Sequence, residues 1–257
     1  MSLNATFDSV VSRVRLAGTA LDDAGTALFE RSKNGLKWYP VRGGMEVPVS
    51  VSDTANLDDY EFVPGAVNHY RVTAGSDVFT TTITPDQTGV WLKSIARPFL
   101  NRKVNVESHK DINRPARNGV FDIIGRSDPV GVTDVRSSRR WEMTLWVDTV
   151  AEAESLELVF TSGDPLFIQA NSTADIPAGY VLVGDLTIRR WGTISTRRWF
   201  DLSLTNVAPP GPDVVGYTST WESLVAEFGT WADVLAFFPT WADILEYVSS
   251  PDTVYVP

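Results

Sequence analysis

Trp141-Glu142-Met143-Thr144-Leu145-Trp146-Val147-Asp148 is the clearest strand in the chain. Side chains on an extended backbone alternate between faces. Trp141, Met143, Leu145 and Val147 therefore share an apolar face, and Glu142, Thr144, Trp146 and Asp148 share a polar one. Trp146 is the exception on that polar face, suited to a second buried side, a subunit interface or a sugar-stacking surface. Immediately after it, Thr149-Val150-Ala151-Glu152 has the form of a capping box, opening a helix that runs through Leu158-Val159 and ends near Gly163. Working outward, strand signals stand at Gly119 to Ile124, Pro165 to Gln169, Tyr180 to Trp191 and Arg198 to Val207. Upstream, Val90-Trp91-Leu92-Lys93 opens the region, and Arg102 to Asn118, polar and basic, reads as a long loop or arm. Residues 89–208 thus form a strand-rich domain with one helix.

Residues 1–88 also read as strands. Val10 to Leu16, Ala27 to Ser32 and Met45 to Val51 alternate, and Asn34-Gly35 between apolar runs signals a turn. Short strands with turn residues at regular spacing point to an antiparallel sandwich. Phe29-Glu30-Arg31-Ser32, Trp38, Asp59-Tyr60-Glu61-Phe62, Pro64-Gly65 and Tyr70-Arg71-Val72-Thr73-Ala74 resemble a fibronectin type III domain. That resemblance implies Trp38 in the core with Tyr70 facing it. An immunoglobulin-like sandwich of another family is the alternative.

Ala208-Pro209-Pro210-Gly211-Pro212 is a stiff linker. Beyond it one ten-residue unit occurs three times, opening at Thr220-Trp221, Thr230-Trp231 and Thr240-Trp241. Each Thr can cap a helix, and the Ser or Asp three residues on suits the positive helix end. On one unbroken helix, successive Trp residues would drift by about 80°. Gly229 and Pro239 instead divide residues 209–257 into a linker and three short helices. Helices so short are unstable alone in water. Docking through Trp221, Trp231 and Trp241, with Leu224, Val234 and Ile244 on the same side, is the expectation.

Charge is distributed unevenly. The net charge is −10, yet residues 91–140 hold 11 basic and 5 acidic side chains, whereas residues 201–257 hold no basic and 8 acidic ones. A basic middle and an acidic tail can attract each other within or between subunits; solvated surface is the plain alternative. The acidic total argues against general nucleic-acid binding. Arg139-Arg140, Arg189-Arg190 and Arg197-Arg198 flank strands, where they serve as surface charge or as contacts for an acidic neighbour. There are no cysteines, so disulfides and thiolate metal sites are excluded. No standard signal peptide and no membrane-spanning segment is expected.

The search for chemistry returns little. His69 and His109 are the only histidines, and neither belongs to a helical metal motif. No nucleophile elbow or phosphate-binding glycine loop is present. Asp22-Asp23 and Asp58-Asp59 are neighbours whose side chains point opposite ways on an extended chain, making them better turn residues than acid/base pairs. Counting alone does not exclude a glycosidase pair. No catalytic residue, cofactor or metal is expected.

The domain order, with Arg126-Ser127-Asp128-Pro129-Val130, the helix ending in Thr161-Ser162-Gly163 and the Trp decads, resembles minor tail proteins of long-tailed actinobacteriophages. That resemblance implies a mainly β chain: a fibronectin-like sandwich, then a barrel like those of tail-tube and distal-tail subunits, then the helical tail. It further implies a virion component made in the host cytoplasm, forming a ring with copies of itself and contacting other tail proteins. Trp146, Arg139, Arg140 and the decad residues are the expected contacts. The alternative is a carbohydrate-binding accessory module whose partner is a host-surface glycan.

Overall fold

The computed structural model describes residues 2–21, 25–171, 173–211, 224–225, 228–238 and 244. The fold is mainly β. Its first unit is two antiparallel sheets facing each other. One has the order β1 (Ser2–Asp8), β2 (Arg13–Thr19), β6 (Thr54–Asp59). The other has the order β4 (Tyr39–Pro40), β3 (Thr26–Ser32), β7 (Asn68–Ala74), β8 (Asp77–Ile83), with β5 (Val47–Pro48) also pairing β3. Alternation drives this packing: Tyr70, Val72 and Ala74 of β7 point inward, meeting Val14, Leu16, Phe29 and Phe62. Burying each large side chain contributes about 1.5–3 kcal/mol. The Asn34-Gly35 turn is present between β3 and β4. Gly35 has φ of 72°, the left-handed region glycine tolerates best, and Asn34 Oδ1 accepts from Leu36 N at 3.0 Å.

Trp38 does not fill the core. It is half-buried at the sheet surface, with the Arg71 guanidinium 4.6 Å from its ring centre. Phe29, Phe62 and Tyr70 occupy the interior instead. Of the alternating run Met45 to Val51, only Val47–Pro48 pairs as a strand.

The second unit is a closed antiparallel barrel in the order β10 (Arg102–His109), β13 (Arg140–Val147), β16 (Arg198–Asn206), β15 (Gly179–Arg190), β14 (Leu166–Ala170), β9 (Val90–Ser94). Trp141, Met143 and Leu145 of β13 face its interior with Leu202, Leu204 and Phe200 of β16. Helix α1 (Val150–Thr161) adds Ala153, Leu156 and Val159 to that core. Its capping box is formed: Glu152 N donates to Thr149 Oγ1 at 3.1 Å, and Thr149 N to Glu152 Oε2 at 3.1 Å.

Arg102 to Asn118 is not one long loop. Its first half is strand β10 of the barrel, with Val104 buried in the core and Val106 packed against it. The excursion begins at Lys110 and runs to Arg139. It carries its own hairpin of β11 (Gly119–Phe121) and β12 (Val130–Val132), paired with each other outside the barrel. Beyond the linker, α2 (Trp231–Phe237) is capped by Thr230, whose Oγ1 accepts from Asp233 N at 3.3 Å. Trp221 and Trp241 lie outside the described residues, as does most of the proposed first and third helix.

Candidate interaction surfaces

Strand β9 joins the two units and is buried along its whole length. One face supplies Val90 and Leu92 to the barrel core, and the other carries Lys93 against the sandwich. Lys93 Nζ donates to Ser12 O at 2.5 Å and to Tyr60 O at 3.0 Å, and lies 4.5 Å from the Phe62 ring centre. Burial pushes its pKa well below the ordinary lysine value; the nearby Asp59 and Glu61 oppose this only partly. Ser12 has a left-handed φ of 52°, unusual for a residue with a Cβ. Its Oγ donates to Gln87 Oε1 at 2.5 Å, so both ends of the residue are tied to the junction. Gln169 Nε2 reaches back to Phe62 O at 2.5 Å, and Asn101 Nδ2 to Val11 O at 3.3 Å.

A second cluster closes the same junction at its edge. Tyr180 of the barrel donates its hydroxyl to Glu61, and Arg42 pairs with Glu61 at 3.2 Å. Burial, then Glu61, raises the Tyr180 pKa. Arg42 Nη1 also donates to Pro210 O at 3.2 Å and Gly211 O at 2.5 Å, so the start of the linker is held on the sandwich. Lys93, Gln87 and Gln169 did not stand out in the sequence. A lysine in an apolar run and two glutamines carry no signal until the other unit is laid against them.

Trp146 is half-buried on the outer face of the barrel, opposite Trp199 in the strand register, with the Arg197 guanidinium 5.2 Å from its ring centre. Trp191 stacks on Trp199 at 5.0 Å and 24° and is 71% exposed. Arg197 is anchored by Asp148 at 2.7 Å, and Arg189 pairs with Asp201, so both spend their charge within this chain. The hydrogen bond from Arg189, with one from Thr144, holds the Asp201 carboxyl below the usual range against its slight burial. Arg139 and Arg140 are exposed at the base of the excursion, where Arg140 bridges Asn113 through the backbone.

The excursion is where apolar surface is most exposed. Val120, Phe121, Ile123, Ile124, Val132 and Val135 all stand in solvent. In the decads, Leu224, Val234 and Ile244 meet in one small core with Phe228 and Phe238. Trp231 is 45% exposed at the start of α2. The three aliphatic positions, ten residues apart, are thus brought together, while Trp231 lies toward the outside.

The carboxylates weighed for catalysis have structural partners. Asp58 pairs with Arg13 at 2.7 Å; Asp59 accepts from Arg31 at 2.6 Å and from Tyr70 at 2.7 Å. Burial and Asp59 together push the Tyr70 hydroxyl pKa upward. Asp22 and Asp23 lie outside the described residues. His109 meets Trp141 edge-on at 6.4 Å. Among the described residues no group of three His, Asp or Glu side chains is arranged to hold a metal, and no helix is long and apolar enough to cross a membrane.

No protein-family model matches the chain, and no curated protein matches it. Among solved structures, the chain is similar to the Dit protein of phage SPP1, described as a paradigm of the hub adsorption apparatus in phages infecting Gram-positive bacteria, at a TM-score of 0.32 and 12% identity. That likeness covers 47% of this chain and 50% of the Dit chain, about half the length of each.

Proposed function

We propose that this chain is a non-enzymatic structural component of a phage tail tip, a minor or distal tail protein that assembles with copies of itself into a ring and contacts neighbouring tail subunits. The observation that carries this reading is a closed barrel, fixed to a sandwich by a buried polar junction, that projects an excursion with a strongly apolar surface. Several large apolar side chains exposed along one short segment suit a protein contact. The resemblance of the domain order and of the Trp decads to minor tail proteins supplies the setting. Trp146 is the expected anchor on the barrel face, and its truncation to Ala should weaken assembly by about 2 kcal/mol. Light scattering of the purified chain across concentration tests self-association, and labelling in intact virions tests location. A chain that stays monomeric and is missing from virions defeats the reading.

A second reading rests on Trp191. Its stacked and exposed indole is a surface on which a sugar ring can lie. A glycan-dependent quench of Trp fluorescence that disappears in Trp191→Ala would favour a carbohydrate-binding module for host adsorption.

A further inference from the structure

We infer that residues 110–139 receive the decad module of a second copy of this chain. The inference rests on the assembly reading above and gives it a specific pair of surfaces. A two-stranded ribbon is marginal by itself in water, yet β11 and β12 pair only with each other and leave Val120, Phe121 and Val132 exposed. Ile124, in the turn between them, is fully exposed. Among the described residues nothing covers these side chains, which suits them to a contact with another molecule.

Charge selects the occupant. Residues 110–140 carry seven basic and four acidic side chains, and Arg114, Arg126 and Arg136 are exposed. A partner should therefore be acidic as well as apolar. Residues 212–257 hold seven carboxylates and no lysine or arginine. Helix α2 buries Val234 in the module's own core while leaving Leu235 59% and Phe237 61% exposed. An acidic module with an apolar outer face thus matches a basic hairpin with an apolar tip. Opposite potentials speed encounter and set orientation, and the apolar contact holds the complex.

The absence of native cysteine makes the test direct. Full-length Ile124→Cys and Phe237→Cys variants, carrying tags of different size, are mixed and treated with a bifunctional maleimide. Val51→Cys, exposed on the sandwich, replaces Ile124→Cys as the control. The mixed dimer is expected to form at least about tenfold faster for the 124/237 pair than for 51/237. High salt should remove most of that advantage. In an otherwise native chain, Phe121→Ser with Arg126→Glu should raise the self-dissociation constant at least about tenfold. Equal cross-linking rates for the two pairs, alongside normal assembly by light scattering, would overturn this inference and leave the assembly reading standing. A chain monomeric at every concentration would defeat both. A 124/237 double variant that cross-links only within one molecule would overturn the second copy as occupant.

Discussion

Replacing Lys93 with Met tests the junction at its most buried polar group. The thioether keeps much of the stem packing against Phe62 but removes both hydrogen bonds, leaving the carbonyls of Ser12 and Tyr60 without this donor. Each carbonyl so stranded costs about 1–3 kcal/mol. Above the ordinary lysine pKa, near 10.4, the amine is neutral in both folded and unfolded chains, and the variant should be less stable by about 2–6 kcal/mol. The folded pKa lies below the unfolded one, so at lower pH the unfolded chain binds a proton that the folded chain does not. The parent therefore loses about 1.4 kcal/mol of stability per pH unit as pH falls from the unfolded value toward the folded one. Met has no such loss. The difference between parent and variant should shrink as pH falls through that window and level off below it. Urea unfolding of both proteins at several values between pH 6 and about 11 measures this difference, and groups that titrate alike in the two cancel. A stability difference independent of pH would refute the burial argument.

Three further outcomes are expected. Asp59→Ala should cost about 3–5 kcal/mol, because it removes the acceptor for Arg31 and Tyr70 from a site that is 1% exposed; denaturant unfolding of the full chain measures it, and a cost below about 1 kcal/mol would mean the cluster is not held through this carboxylate. Residues 1–88 alone should melt cooperatively with strand-type circular dichroism, since Phe29, Phe62 and Tyr70 remain together, but at a lower temperature than in the full chain because Ser12 loses its bond from Lys93. Leu224→Ala should open the decad module to protease, at a cost of about 2–5 kcal/mol, because Leu224 helps close that module's small core with Val234, Phe238 and Ile244.

Periodicity was informative where each side chain met one environment. Trp141, Met143 and Leu145 could be placed inward because β13 has a wet face and a dry one, and Thr149 with Glu152 specified the helix start through purely local bonds. Lys93 was opaque for the opposite reason: β9 has no wet face, and the second dry one is created by a distant segment. The fibronectin-like resemblance implies Trp38 in the core, whereas Phe29, Phe62 and Tyr70 fill it and Trp38 packs against the Arg71 guanidinium at the surface. The excursion from Lys110 was partly visible as basic, polar sequence, but Val104 and Val106 were too few to mark β10 as barrel wall. Leu224, Val234 and Ile244 share a spacing that the sequence displays, and the structure gathers them into one small core.

The junction around β9 also has a mechanical consequence. Lys93 and Asn101, flanking Ser94 and the 3₁₀ turn at Pro98–Leu100, and Gln169, in the neighbouring strand, each grip backbone carbonyls of the sandwich. A force drawing the two units apart would strain these grips in parallel, whereas a flexible tether would simply straighten. The chain should therefore behave as a stiff bracket whose elbow angle is inherited by whatever is bolted to either end.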